Sequence, residues 1–185
     1  MASTAKQVPV VSFESFLAGE QQASRRHELV GGRVHEMAGA AERHDLAAGL
    51  LFLALAPTAR ARGCRPFTAN RLVRLGDAAY YPDIFVVCGP AVDEFYERDL
   101  TVVIEVLSPS TSDTDKREKA VAYAGAESFQ RYLLVDPRRR RIEIAEPSAV
   151  GLRWQAYGPG SVIPTPFASI NLDDLYDALN ASAST

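Results

Sequence analysis

The sequence predicts a mixed α/β (α+β) protein, one mixed β-sheet flanked by helices. Residues 100–107, a near-continuous apolar run, read as a strand buried on both faces, as strands covered by helices are. Helical patterns alternate with such runs mid-chain, whereas near the two ends strands pair as hairpins about turn dipeptides. The 185 residues, 47% hydrophobic and 23% charged, suffice for one core. A single domain over 1–185 is expected, with 1–11 and 181–185 as flexible ends.

In chain order, Phe13, Phe16 and Leu17 recur at helical spacing after Ser12, predicting a serine-capped helix over 12–20 that acts as a flap or dimer element. Residues 27–30 and 33–37 flank Gly31-Gly32, a dipeptide suited to a tight hairpin. From 41 to 62, alanines and leucines on most faces predict a buried helix that Pro57 ends or kinks. Residues 66–75 read as one strand, closed by a turn at Gly76-Asp77, and 84–88 as a short apolar strand after Pro82-Asp83. Beyond the 100–107 strand, Ser112 and Asp115 suggest a capping-box start for a helix running to about Ala126. Strands at 131–135, 142–145 and 154–157 follow, with a turn at Asp136-Pro137, and a final helix over 172–179 is capped by Asn171.

Within the 100–107 strand, Val102, Ile104 and Val106 face one side and Val103, Glu105 and Leu107 the other. A bare carboxylate at Glu105 is costly unless it is paired, protonated or bound to a cation. Asp83 opens another apolar strand 22 positions earlier, close enough in sequence for the two acids to lie on adjacent strands. Magnesium takes oxygen ligands and accepts one or two carboxylates from protein, with water and substrate completing its shell. Lys119 on the following helix adds a positive charge that can orient an attacking water or stabilise a phosphate in in-line displacement. Asp115, Lys119 and Tyr123, four residues apart, share a helical stripe; if it faces the strand, Lys119 points at the two acids.

Asp83 after Pro82, Glu105 in IEVLSPST, then Asp115, Lys119 and Tyr123 in DTDKREKAVAY, and LLVDP at 133–137 together resemble the Uma-two family of restriction endonucleases, within the PD-(D/E)XK nuclease superfamily. HELVGGRVHEM at 27–37 and His44 on the first long helix extend the resemblance over most of the chain. It implies a restriction-endonuclease-like core, a magnesium ion (manganese as substitute) at Asp83 and Glu105, and Lys119 as third catalytic residue. Glu28, His44, Asp115 and Tyr123 are supporting residues. DNA is the implied substrate, RNA a variant of it, and a homodimer the expected assembly, since one compact domain offers little surface to engage a duplex symmetrically. The lysine of the plain (D/E)-x-K motif would fall on Leu107, so its role must have moved to Lys119. At Arg131 the family usually shows an acid, and no catalytic role is assigned there.

Simpler roles exist for each residue. The simpler reading of Glu105 is a structural acid paired to Lys119 or an arginine, of Asp83 a turn residue, of Asp115 with Lys119 a surface pair, of His44 a cap, and of Glu28 a surface ion pair. His35-Glu36 does not begin a zinc-protease motif, because position 39 is glycine. The turn at 158–161 lacks the lysine of a phosphate loop. The arginines at 138–141 read as a solvated turn, or else a phosphate contact, and Arg25, Arg26, Arg60, Arg62 and Arg65 as a possible basic rim. A net charge of −3 gives no global pull toward polyanions. That mildly favours a second class, a nuclease-fold module that binds nucleic acid or protein without cutting. The isolated Cys64 and Cys88 fit a reducing cytosol better than a disulfide framework, and 46–57 is too short an apolar run to span a bilayer. A cytoplasmic protein without membrane contact is expected.

Overall fold

The computed structural model describes residues 10–108 and 113–181, with the side chains of 113–116 outside the description. The Ser112 cap, the Asp115 side chain and most of both expected flexible ends therefore lie outside the described residues.

Chain order is α1 (Phe13–Glu20), β1 (His27–Val30), β2 (Arg33–Glu36), α2 (Glu42–Ala61), β3 (Arg65–Thr68), β4 (Leu72–Leu75), β5 (Ala78–Tyr80), β6 (Ile84–Val87), β7 (Tyr96–Glu97), β8 (Val102–Val106), α3 (Asp113–Tyr123), β9 (Arg131–Asp136), β10 (Arg141–Ser148), β11 (Gly151–Tyr157), β12 (Val162–Pro164), β13 (Ser169–Asn171) and α4 (Leu172–Ala181). The single sheet foreseen is divided. One sheet runs β2-β1-β5-β4-β7, a second β11-β10-β9-β8-β6-β3, and β12-β13 form a ribbon. Both large sheets are mixed: β4–β7 and β8–β9 pair in parallel and the other ladders are antiparallel.

The residues foreseen as one strand over 66–75 split between the sheets. Ala69-Asn70 turns the chain, so β3 joins the six-stranded sheet and β4 the five-stranded one. The short strands β5, β7, β12 and β13 escaped the sequence pattern because two or three residues carry too little alternation to register. Gly31 and Gly32, at φ +56° and +73°, close the β1–β2 hairpin; a Cβ on Gly32 would run into Val10.

Helix α2 buries a single stripe, Ala47, Leu51, Leu55 and Ala59, against the six-stranded sheet, while Leu53 stays 69% exposed. Each buried leucine contributes about 1.5–3 kcal/mol. Pro57 does not end this helix, which continues to Ala61. The opposite face of the six-stranded sheet packs Phe85, Val103, Tyr132 and Leu134 against Ala120 and Tyr123 of α3 and against Val73 and Tyr80 of the five-stranded sheet. Helix α1 is packed rather than free as a flap: Ser12 caps it and Phe13 and Phe16 bury against Leu29, Leu72 and Tyr96. Asn171 caps α4 through the backbone N–H groups of Asp173 and Asp174.

Cys64 and Cys88 form a disulfide, correcting the expectation of isolated thiols. The register explains it. Arg65 pairs with Val87, so Cys64 and Cys88 sit opposite one another one step beyond the ladder, with Cα atoms 4.3 Å apart.

Candidate active site

The two sheets are joined by Tyr81-Pro82-Asp83, between β5 and β6, and the foreseen polar residues gather at that seam. On β8, Val102, Ile104 and Val106 enter the α2-side core and Val103 the other, the alternation expected. Glu105 is 1% exposed. In the β6–β8 ladder Ile84 pairs with Ile104 and Phe85 with Val103. The next step of that register sets Asp83 opposite Glu105, on a face where antiparallel neighbours bring their Cβ atoms to about 5 Å. Pro82 has no N–H to extend the ladder. Asp83 Oδ2 instead accepts the Val106 N–H at 2.8 Å, and lies 3.2 Å from Nε2 of His44 in the first turn of α2.

Tyr123 of α3 donates its hydroxyl to Glu105 at 2.7 Å. Burial, together with the charges of Glu105 and Glu28, holds its pKa well above the ordinary tyrosine value, so it remains a donor at neutral pH. Lys119, one turn earlier, donates to Glu28 on β1 at 2.6 Å, with Nζ 5.7 Å from the centre of the Tyr80 ring. Glu28 also accepts the Tyr81 N–H at 3.2 Å. Both side chains of this ion pair are largely buried, at 14% and 11% exposure.

Six of the seven foreseen residues, Glu28, His44, Asp83, Glu105, Lys119 and Tyr123, thus meet at one seam, through three pairings that the sequence did not show. Glu28 holds Lys119, the Tyr123 hydroxyl serves Glu105, and His44 meets Asp83. Tyr80 and Tyr81 were overlooked as contributors. Their signal was the run Tyr80-Tyr81-Pro82-Asp83, whose aromatics precede the acid directly.

As donors for a divalent cation, Asp83 and Glu105 are two hard carboxylates just past the end of the β6–β8 ladder, the number magnesium accepts from protein. Among the described residues no group of three or more His, Cys, Asp or Glu is arranged to hold a metal. The fit therefore rests on two ligands with water and substrate. Of the arginines foreseen as a rim, Arg25 pairs with Glu36, Arg26 with Asn70, Arg62 with the Pro166 carbonyl and Arg65 with Glu97. Arg131, given no role, binds Glu146 and the Pro164 carbonyl.

The profile of the Uma2 family, described as "Putative restriction endonuclease", matches residues 13–173. The chain belongs to this family. Two uncharacterised proteins of Synechocystis sp. are similar to it: slr1290, 28% identical over 141 residues (74% of each chain), and sll1609, 26% identical over 140 residues (72% of this chain, 79% of that one). The crystal structure of "a putative nuclease belonging to DUF820" from Anabaena variabilis superposes with a TM-score of 0.76 at 19% identity, covering 91% of this chain and 99% of that one. At that identity the likeness establishes the fold, which for this Uma2 protein is nuclease-like. Among the described residues no helix is long and apolar enough to cross a membrane.

Proposed function

We propose that this Uma2 protein is a metal-dependent endonuclease that hydrolyses phosphodiester bonds in DNA, acting in the cytoplasm as a homodimer. The observation that carries the reading is that Asp83, one step past the last pair of the β6–β8 ladder, accepts the N–H of Val106 next to Glu105, with the Lys119 ammonium held on the helix that follows β8. A magnesium or manganese ion held by the two carboxylates would supply positive charge to the phosphoryl oxygens and the attacking water. Lys119 orients that water and offsets charge on the phosphate, Glu28 fixes Lys119, and the Tyr123 hydroxyl fixes Glu105. His44, 3.2 Å from Asp83, steadies that carboxylate. With Cys64 and Cys88 joined, the cytoplasmic placement no longer draws on the cysteines and follows from the substrate instead.

The test is cleavage of supercoiled plasmid with magnesium or manganese by wild type, Asp83→Asn and Asp83→Ala. Asn keeps an acceptor for the Val106 N–H, whereas Ala leaves that buried donor unmet at a cost of about 1–3 kcal/mol. Loss of cleavage in a stably folded Asp83→Asn variant is expected. Robust cleavage by it would overturn the assignment. The engagement of Lys119 with Glu28 favours a second reading, a binding module that does not cut. Calorimetric titration with magnesium separates the two, because such a module has no use for an ion at Asp83 and Glu105.

A further inference from the structure

The six-stranded sheet carries the row on which Glu105 sits beyond the candidate site. Glu105 pairs with Leu134 on β9, and Leu134 with Glu143 on β10, so the three share one face of the sheet. Glu143 is a second buried acid, 8% exposed. Two arginines grip it. Arg117 of α3 donates Nη2 to one carboxylate oxygen, and Arg141 donates Nε and Nη2 to the other at 3.0 and 2.8 Å. Burial pushes the Glu143 pKa up, but the hydrogen bonds from Arg141 and Arg117 outweigh it and hold the group ionised.

These arginines open onto a cleft of about 250 Å³, whose lining includes Leu107 and Leu134, the same-face neighbours of Glu105. Arg139 enters it from the β9–β10 turn. Asp136 shapes that turn by accepting the backbone N–H groups of Arg138 and Arg139, yet its carboxylate meets the Arg139 guanidinium only at 3.9 Å, and the Arg139 side chain is 84% exposed. The Arg117 guanidinium also stacks on Trp154 at 4.4 Å. Among the described residues that line the cleft, three guanidinium groups stand against the carboxylates of Glu143 and Asp136, one net positive charge in a protein whose overall charge is −3. Of the arginine run that read as a solvated turn, Arg139 and Arg141 line this cleft, whereas Arg140 pairs with Asp173 and Asp177 of α4.

We propose that this cleft is a phosphate subsite that seats the nucleic-acid backbone beside the scissile bond, with Arg139 and Arg141 as the phosphate contacts and Glu143 as the residue that positions Arg117 and Arg141. The proposal rests on the reading of Asp83 and Glu105 as the cutting site and deepens it. Two inter-strand steps separate Glu143 from Glu105, about 10 Å. Guanidinium is suited to this task because its planar fork matches phosphate oxygens.

The experiment is fluorescence anisotropy of a labelled short DNA duplex, titrated at several salt concentrations with calcium in place of magnesium. Arg139→Ala and Arg141→Ala should each weaken binding about three- to fivefold. Each should also lower the slope of log affinity against log salt by about 1. Arg153→Ala, an exposed arginine outside the cleft that pairs with Glu146, should leave both unchanged. Wild-type affinity and slope in the Arg139→Ala variant would overturn the proposal, and so would a wild-type protein that fails to bind the duplex. Should Arg141→Ala unfold, the largely exposed Arg139 still decides the matter. A plasmid-cleavage assay on the same samples keeps the two readings apart: binding through the arginines without cleavage defeats the cutting site and leaves the cleft, whereas cleavage with unaltered variant binding does the reverse.

Discussion

Lys119→Met, Glu28→Gln and their combination form a double-mutant cycle that tests how the lysine is held. Lys119 and Glu28 lie 2.6 Å apart with side chains 14% and 11% exposed, so neither charge has bulk water to fall back on. Removing the ammonium alone leaves the Glu28 carboxylate buried beside the Tyr81 N–H, a change expected to cost about 3–5 kcal/mol. Glu28→Gln keeps an acceptor for that N–H but strands the ammonium against the Tyr80 ring, again costing several kcal/mol. The double variant removes both charges and should cost less than either single change, so the coupling energy should exceed about 3 kcal/mol. Urea denaturation followed by circular dichroism reads all four corners, and the melting temperature of Lys119→Met should fall by roughly 6–20 °C. Full stability in Lys119→Met would refute the buried pair as drawn. The same variants separate structure from chemistry: if Lys119 acts on phosphate, the double variant regains stability and stays inactive.

Tyr123→Phe removes a hydroxyl that donates to the buried Glu105, a bond to a charged group worth about 1.5–3 kcal/mol. Loss of that donor should lower plasmid cleavage by about tenfold or more, and full activity in the variant would detach Tyr123 from the site. Cys64 and Cys88 close a loop of 24 residues' separation, so Cys64→Ser with Cys88→Ser should cost about 3.5 kcal/mol and lower the melting temperature by about 7–14 °C. Coincident melts with and without dithiothreitol would contradict the bridge. Burial raises the Tyr176 hydroxyl from 10 to about 12, and burial with the Glu20 charge raises Tyr81 to about 12. Both raised values favour the neutral folded form, so their contribution is full below pH 10 and declines as pH climbs to about 12. Tyr176→Phe should flatten that alkaline decline, read by denaturation at fixed pH, and an unchanged slope would argue against it.

The long elements were legible because each carries several repeats of its period. Helix α2, strand β8 and the hairpin at Gly31-Gly32 fall within a residue or two of their foreseen bounds. Missing from the sequence was the division between sheets. Nothing in the composition of residues 66–75 announces that β3 and β4 take different partners, since sheet membership is a long-range property. The candidate site followed the same rule. Asp83, Glu105 and Lys119 were visible as residue types in a motif, but the Lys119–Glu28 pairing joins residues 91 positions apart and depends on how β1 meets α3. The disulfide was missed for a related reason: only the β3–β6 register brings Cys64 to Cys88.

The seam location gives a physical reason why acids tolerate burial there. The β6–β8 ladder stops at Ile84 and Ile104 while β8 continues against β9 to Val106, so the Val106 N–H would face the seam with no strand carbonyl to receive it. Asp83 fills that vacancy, Glu28 receives the Tyr81 N–H at the neighbouring break, and Tyr123 reaches Glu105 from the helix that crosses over. Each carboxylate is thereby fixed by a donor belonging to the fold, with its position set before any ligand arrives. Glu105 also sits at the carboxyl end of a parallel strand feeding a helix, the place where open α/β sheets present side chains to a crevice. On the proposed reading, a cation or phosphate entering the seam would meet acids and a lysine whose ordering cost has been met by folding, which lowers the cost of binding. An apolar residue at Glu105 or Asp83 would orphan the Tyr123 hydroxyl or the Val106 N–H and, on the proposed reading, would remove a metal ligand as well.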